Sequence, residues 1–297
     1  MRLAAVDIGS NTVHALVADV VRGRLQEIAH FVEMPELGPQ VARTGAIGPR
    51  AKVGLMALRK VVREARALGS EHMVAAATEA VREASDGQAF AREAAASIGV
   101  PVHVISAQRE ARLSFLGVSS RHAVRREWAM IDLGGASTEV VIARGSVMLK
   151  STSLPIGSGV LASKYFSDPP RPEERARMRK AALRELTQAP DGEVERLVAT
   201  GGTASNLPTV LARRNPPTVM TTADLLACEA RLDRGRASKV AADLGLEANR
   251  VKALRAGLEA LLLFLDWYGL SVLHISHEGL RHGMLLAYLA QSEDWWR

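Results

Sequence analysis

Cysteine is almost absent from this chain of 297 residues, which contains only Cys228. One thiol cannot form a disulfide framework or a zinc site built from several cysteines. Cys228 also stands in an apolar run that begins at Leu225, which favours a small buried core residue over a reactive thiol. Disulfide-stapled folds and cysteine-based zinc sites are therefore excluded.

Long hydrophobic runs are missing as well. The longest apolar stretch, 258–268, is interrupted by Glu259 and Asp266, so no transmembrane helix is expected. Near the N-terminus, Asp7 and Gly9 interrupt the apolar core that a signal peptide needs. Together these absences predict a cytoplasmic protein with no membrane partner.

Aromatic residues make up 4% of the chain, and acidic residues are fewer than basic ones. The formal net charge is +6, from 38 Lys and Arg against 32 Asp and Glu. A basic surface favours an anionic partner, such as nucleic acid, an acidic membrane or a phosphate-rich small molecule, although it also serves solubility alone. Trp295 and Trp296 are too few to form a stacking platform for bases, so we expect no nucleic acid partner.

What the sequence does contain is one pattern of strands and helices that occurs twice. Apolar strands are predicted at 3–8, 12–21 and 25–34, and again at 128–133, 138–143 and 147–154. Helices are predicted at 52–68, 107–118, 251–267 and 279–290. Because the second half repeats the first, and because the chain exceeds one average domain, we predict two α/β domains. Their bounds are 1–124 and 125–297, and the helix at 279–297 is expected to pack back on the first domain.

Three glycine-rich turns each follow a predicted strand. They are Asp7-Ile8-Gly9-Ser10-Asn11, then Asp132-Leu133-Gly134-Gly135-Ala136-Ser137, then Thr200-Gly201-Gly202-Thr203. Glycine lets backbone amides approach phosphate oxygens, and a helix N-terminus, as expected after the third turn, favours an anion. An aspartate at a strand end can hold a divalent cation. One such turn is more often only a tight turn, but three in this order favour phosphate binding.

The order of the three turns resembles the actin/sugar-kinase/Hsp70 superfold. That resemblance implies duplicated actin-like ATPase, ribonuclease H-like domains around a central cleft. Seven segments are also similar, in order, to the exopolyphosphatase/guanosine pentaphosphate phosphohydrolase (Ppx/GppA) family. They lie at 4–14, 76–84, 105–113, 132–139, 153–158, 201–207 and 278–284. The length resembles that of members with only the two catalytic domains.

The resemblance implies a set of site residues. Glu110 matches the catalytic glutamate, which orients or deprotonates the attacking water. Asp132 and Glu139 match acidic positions for a cleft metal, Mg²⁺ or Mn²⁺, which Asp7 faces from the other half, and Arg82 matches an arginine that clamps a phosphate. The remaining phosphate-binding residues implied are Gly9, Ser10, Asn11, Gly134, Gly135, Ser137, Gly201, Gly202 and Thr203.

Plainer interpretations stand beside these roles. Glu110 is also typical of a first-turn glutamate that the helix dipole favours. Glu139 also fits a polar residue on the exposed face of a strand. Arg82 is also one of many helical arginines.

The chain departs from the family pattern at three places. Ala136 stands where a third glycine is usual, which is tolerable only if that residue has no positive φ. Ala107 and Arg109 precede Glu110, and we expect Arg109 to lower the pKa of Glu110. Val160 stands where a substrate-facing arginine is usual.

The favoured function is Mg²⁺-dependent release of terminal orthophosphate from inorganic polyphosphate. The first alternative is hydrolysis of guanosine pentaphosphate (pppGpp), and the second is a sensor that binds polyphosphate or an alarmone without turnover. A small-molecule kinase is disfavoured, since the candidate acid Glu110 precedes the second turn. Family members often pair as dimers, which leaves a homodimer open.

Overall fold

The computed structural model describes residues 1–122, 124–211 and 217–297. The chain divides into two compact units. The first consists of Met1–Gly117 with Glu278–Arg297, and the second of Val118–His277. The chain first passes between them after Gly117, within a helix and seven residues before the predicted boundary at 124.

The first unit contains a five-stranded sheet with strand order β3-β2-β1-β4-β5. The strands are β1 (Arg2–Ile8), β2 (Val13–Val21), β3 (Arg24–Glu33), β4 (His72–Ala77) and β5 (Val102–Val104). β1, β2 and β3 form an antiparallel meander, whereas β4 and β5 run parallel to β1. β1 is an almost unbroken apolar run because both of its faces are covered, and β3 is largely exposed because it is an edge strand.

Helices cover both faces of this sheet. They are α1 (Leu37–Thr44), α2 (Arg50–Ala67), α3 (Glu79–Glu83), α4 (Gly87–Ile98), α5 (Ala107–His122) and, from the C-terminal segment, α12 (Leu280–Gln291). One core cluster lies against α2 and α4, and another lies against α12. The C-terminal helix therefore supplies part of the core of the first unit.

The second unit contains a six-stranded sheet with strand order β10-β11-β9-β6-β7-β8. The strands are β6 (Glu127–Leu133), β7 (Thr138–Arg144), β8 (Val147–Leu154), β9 (Leu197–Thr200), β10 (Val219–Thr221) and β11 (Val272–Ile275). The helices are α6 (Ser158–Tyr165), α7 (Pro172–Leu186), α8 (Gly201–Leu211), α9 (Thr222–Leu232), α10 (Ala237–Leu244) and α11 (Ala248–Trp267). α11 is buried along most of its length within the core of this unit.

The two sheets repeat one topology. In each, an antiparallel meander of three strands is followed by a strand that runs parallel to the first of them, β4 beside β1 and β9 beside β6. The duplicated actin-like, ribonuclease H-like fold is confirmed. Parallel strands end at the same edge of their sheet, and in open α/β sheets ligands bind at that edge. All three glycine-rich turns lie at such an edge, after β1, β6 and β9.

No described helix is long and apolar enough to cross a lipid bilayer.

Candidate active site

The first glycine-rich turn is held by its own backbone and by the segment that leads into α1. The Gly9 N–H donates to the Thr12 carbonyl at 2.9 Å, which closes the turn after β1. The Ser10 carbonyl accepts from the Gly38 N–H at 2.7 Å. A Cβ at Gly38 would lie 2.7 Å from the Ser10 Cβ, so only glycine lets α1 approach this closely. Ser10 is buried as a result.

Glu110 and Arg82 are brought together at the same edge of the first sheet. Arg82 lies in α3, which follows β4, and Glu110 lies in the first turn of α5, which follows β5. The strands β4 and β5 are neighbours in the sheet. The Arg82 Nη1 donates to Glu110 Oε2 at 3.0 Å and to the Ile105 carbonyl at 2.9 Å. An ordinary first-turn glutamate is solvent-exposed, but Glu110 is 8% exposed. Arg82 and Glu110 therefore form a largely buried ion pair, and their catalytic and phosphate-binding roles stay predictions.

Arg109, the residue before Glu110, contacts the C-terminal segment of the first unit. Its guanidinium donates to the Trp295 carbonyl and to Gln291 Oε1, both in the C-terminal segment. Arg82 forms an ion pair with Glu110. An effect of Arg109 on the pKa of Glu110 stays a prediction.

Asp7, the residue before the end of β1, contacts a residue that the sequence reasoning missed. Arg281, near the start of α12, places its Nη1 3.4 Å from Asp7 Oδ2. The segment 278–284 resembled the family, but nothing in the local pattern indicated which residue Arg281 contacts. Both side chains are mostly buried.

The second glycine-rich turn interlocks with the start of α6. The Gly134 N–H donates to the Ser137 carbonyl at 2.9 Å, and the Gly135 carbonyl accepts from Val160 at 3.0 Å. A Cβ at Gly157 would lie 2.2 Å from the Ala136 backbone, so the two segments pack without space for a side chain. Among non-glycine described residues, positive φ occurs at Arg22, Glu36 and Ser292. Ala136 thus needs no glycine-like conformation, and this departure from the family pattern is tolerated.

Asp132 and Glu139 lie directly opposite each other on β6 and β7. Directly opposed residues share a sheet face, with Cβ atoms about 5 Å apart. Ser153, opposite Glu139 on β8, donates its hydroxyl to Glu139 Oε1 at 2.8 Å. Glu139 is 2% exposed, so the interpretation of an exposed strand residue was wrong.

The third glycine-rich turn passes beside Asp132. β9 ends at Thr200, and α8 begins at Gly201, whose φ is +92°. A Cβ on Gly201 would lie 2.5 Å from the Leu133 carbonyl oxygen and 3.1 Å from Asp132 Oδ1. Glycine at this position therefore lets the second and third turns meet, with the N-terminus of α8 at their junction.

Arg250 is a second residue that sequence reasoning missed. A Cβ at Gly202 would lie 2.7 Å from its Nη1, so the guanidinium covers the first turn of α8. Burial lowers the pKa of Arg250, with Glu247 acting in the opposite direction. Thr203, in the same turn, is buried against Gly257 of α11. A cation over a helix N-terminus favours an anion, but one arginine among 38 basic residues carries no such signal in the sequence.

The chemistry of these donors suits a hard divalent cation. Mg²⁺ prefers oxygen ligands and usually binds one or two carboxylates together with water and substrate phosphate. Asp132 and Glu139 supply such a pair. Across the described ranges, no group of three or more His, Cys, Asp or Glu side chains is placed to hold a metal ion. Water and phosphate oxygens would complete the coordination.

Comparison with known proteins identifies the family. Residues 16–292 match the model of the Ppx/GppA phosphatase family. The chain belongs to the Ppx/GppA phosphatase family. A solved member from Aquifex aeolicus is 27% identical, with a TM-score of 0.81 and 99% of each chain covered. A Haemophilus influenzae protein named "Putative exopolyphosphatase" is 26% identical over 95% of this chain and 90% of its own length.

A solved exopolyphosphatase from Cytophaga hutchinsonii is 22% identical, with a TM-score of 0.87 over 98% of each chain, and shows the same fold. The prediction of a hydrolase of the Ppx/GppA family is confirmed. The catalytic, phosphate-binding and metal-binding roles of individual residues stay predictions.

Proposed function

We propose that this Ppx/GppA protein is an exopolyphosphatase that releases terminal orthophosphate from inorganic polyphosphate in the presence of Mg²⁺. The observation that carries the proposal is the contact between Glu110 and Arg82 at the carboxyl edge of the first sheet. This contact places Glu110, the proposed base for water, beside the guanidinium of Arg82, a cation suited to binding phosphate. The net charge of +6 favours a polyanion as substrate.

The reaction is in-line attack of water on the terminal phosphorus. A bond forms from the water oxygen to phosphorus, the bridging oxygen leaves with the shortened polyphosphate, and one water proton is lost. Glu110 orients this water and accepts the proton. The Nη1 of Arg82 donates to both the Ile105 carbonyl and the Glu110 carboxylate, which fixes the carboxylate in place. The remaining N–H groups of Arg82 bind the terminal phosphate.

The glycine-rich turns and the second unit supply the remaining groups. Backbone amides of the three turns bind phosphate oxygens, and Arg250 adds positive charge beside the third turn. Asp132 and Glu139 would hold the Mg²⁺. When bound, that ion offsets the charge that develops on the transferred phosphate. Asp7 contacts Arg281, whose charge disfavours a second cation there, so we assign the metal to the carboxylates of the second unit.

The test is phosphate release from long-chain polyphosphate with Mg²⁺, using wild type, Glu110→Gln and Glu93→Gln. Glu93 is an exposed glutamate on α4, so its substitution removes one carboxylate without touching the site. We expect Glu110→Gln to lose at least about a hundredfold in kcat, since it removes the general base. Glu93→Gln is expected to match wild type.

The substrate is decided by parallel assays with pppGpp. A higher kcat/KM for pppGpp than for polyphosphate would replace the proposed substrate with the nucleotide. Binding of both substrates without release of phosphate from either would instead leave a sensor. An active Glu110→Gln variant would remove Glu110 from the mechanism.

A further inference from the structure

The first turn of α12 contacts two strands of the first sheet through consecutive residues. Arg281 reaches Asp7 on β1, with Nη1 3.4 Å from Oδ2. His282 is 4% exposed and reaches Glu27 on β3, with Nε2 2.8 Å from Oε1. Two contacts that diverge from adjacent positions fix the rotation of the helix about its axis.

A close backbone contact fixes the same turn from a third side. A Cβ at Gly283 would lie 1.7 Å from the Leu113 carbonyl oxygen of α5. A Cβ at Gly117 of α5 would lie 2.2 Å from the Gly279 carbonyl oxygen. α5 is the helix whose first turn carries Glu110. Arg281 and Glu110 thus belong to two helices in backbone contact, so a shift of α12 would displace both side chains.

A β-bulge places Glu27 where His282 reaches it. Glu27 pairs with Ala18 and His30 pairs with Leu16, so four residues of β3 oppose three of β2, and Ile28 is the extra one. Strict alternation would put Glu27 and His30 on opposite faces. The bulge puts both on the face of Ala18 and Leu16, which is the face that α12 covers. Bulges next to active sites often re-aim a side chain in this way.

Glu27 is the centre of a hydrogen-bonded chain. Its second oxygen, Oε2, lies 2.7 Å from His30 Nε2, and His30 Nδ1 lies 3.2 Å from His14 Nε2. Hydrogen bonds from His282 and His30 lower the pKa of Glu27 well below its usual range, so the carboxylate is ionised and both Nε2 atoms donate to it. His14 in turn lies directly opposite Asp7 on β2. The hydrogen-bonded chain thus runs from His14, the strand neighbour of Asp7, across the sheet to His282 on α12.

We propose that Glu27 and His282 are positioning residues that hold the first turn of α12, so that Arg281 keeps the Asp7 carboxylate oriented at the first phosphate-binding turn. This role rests on the proposed function in that Asp7 and its turn belong to the active site. Neither residue touches substrate; both act through Arg281.

The first experiment measures kcat and KM for phosphate release in Glu27→Gln and His282→Gln, with Glu33→Gln as the matched control. Glu33 is also on β3, but it pairs with Lys60 and lies opposite Val13, whose side chain packs in the core on the other face of the sheet. We expect each positioning variant to lower kcat about tenfold, as loss of an outer partner of a site residue commonly does. The control keeps the wild-type kcat.

A double-mutant cycle separates positioning from general loss of stability. If His282 acts through Arg281, then Arg281→Lys with His282→Gln is no slower than Arg281→Lys alone, because the second change has nothing left to disturb. Additive losses in kcat would overturn the proposal. Wild-type kcat in Glu27→Gln would overturn it as well, while leaving the proposed function intact.

A readout without turnover covers the case in which the proposed function fails. Amide hydrogen exchange at residues 280–285, and the affinity for inorganic phosphate, are measured in the same variants. The proposal expects faster exchange and weaker phosphate binding in Glu27→Gln than in Glu33→Gln. If wild type hydrolyses neither polyphosphate nor pppGpp, the proposed function falls, and equal exchange and equal phosphate affinity would then sink the positioning role.

Discussion

The two units hold their site carboxylates by different means. In the first unit, Glu110 contacts the guanidinium of Arg82. In the second unit, Glu139 accepts a hydrogen bond from the neutral hydroxyl of Ser153. A guanidinium offsets part of the charge of a carboxylate that it contacts, whereas a neutral hydroxyl offsets none of it. The two equivalent edges of the duplicated fold therefore give their carboxylates different hydrogen-bond partners, and our proposal assigns water activation to the first edge and metal binding to the second.

The largest expected effect comes from replacing Arg82 and Ser153, the side chains that contact Glu110 and Glu139. Arg82→Ala leaves Glu110 charged and largely buried, which we expect to lower the free energy of unfolding by about 3 kcal/mol or more. Ser153→Ala removes one hydrogen bond to Glu139 and should cost about 1–2 kcal/mol. Denaturant unfolding of both variants measures the difference.

The control for Arg82→Ala is the double variant Arg82→Ala with Glu110→Gln. Because the double variant no longer buries the Glu110 charge without the guanidinium of Arg82, it should be more stable than Arg82→Ala alone. Equal costs for Arg82→Ala and Ser153→Ala would contradict the contrast between charged and neutral support.

The glycine-rich turns differ in a second way, which a pair of alanine substitutions sharpens. Gly157→Ala places a Cβ 2.2 Å from the Ala136 backbone and should destabilise by about 3 kcal/mol, the upper end for overpacking. Gly9→Ala meets the Thr12 carbonyl oxygen at 3.3 Å and should cost less than about 1 kcal/mol. Thermal unfolding of the two variants tests this order, and the reverse order would refute the interlocked description of the second turn.

The smallest expected effect is a difference in pH response between the units. Burial and the neighbouring Glu259 raise the pKa of Glu229 to about 7. Although burial opposes it, hydrogen bonds from Arg179 and Arg175 lower the pKa of Glu259, so the shared proton resides on Glu229. Asp233, whose pKa burial raises, faces the same Arg175.

The pH dependence of stability follows from the raised pKa of Glu229. Its contribution to the free energy of unfolding is fully present below the pKa of the unfolded state, near 4.5, and is lost as pH rises through about 7. Wild type should therefore lose about 1–2 kcal/mol between pH 5 and 8, and Glu229→Gln should flatten that slope. Glu27 of the first unit has a lowered pKa, and its contribution is lost only as pH falls below its usual range. Amide hydrogen exchange in α9 and β3, measured from pH 5 to 8, distinguishes the responses of Glu229 and Glu27. If the loss of stability with pH is the same in Glu229→Gln as in wild type, Glu229 is not its cause.

The elements and turns of this protein follow from short-range patterns. Alternating and helical spacing of apolar residues depends on neighbours within four positions, so β1, β6 and α11 were predictable from the residues themselves. Glycine at 9, 134 and 201 marks turns for the same local reason. Glu110 stood out only through its resemblance to the family, because the local pattern also fits an ordinary first-turn glutamate.

The partners of the site residues were decided by the tertiary structure. Arg82 and Glu110 are 28 residues apart, and Arg281 and Asp7 are 274 apart. Such pairs form because the order of strands in the sheet and the return of α12 to the first unit bring distant strand ends together, which no local pattern encodes. The bulge at Ile28 is of the same kind, since it becomes visible only once β2 and β3 are in register. The sequence alone thus determined which elements and turns form, and packing determined which charges meet.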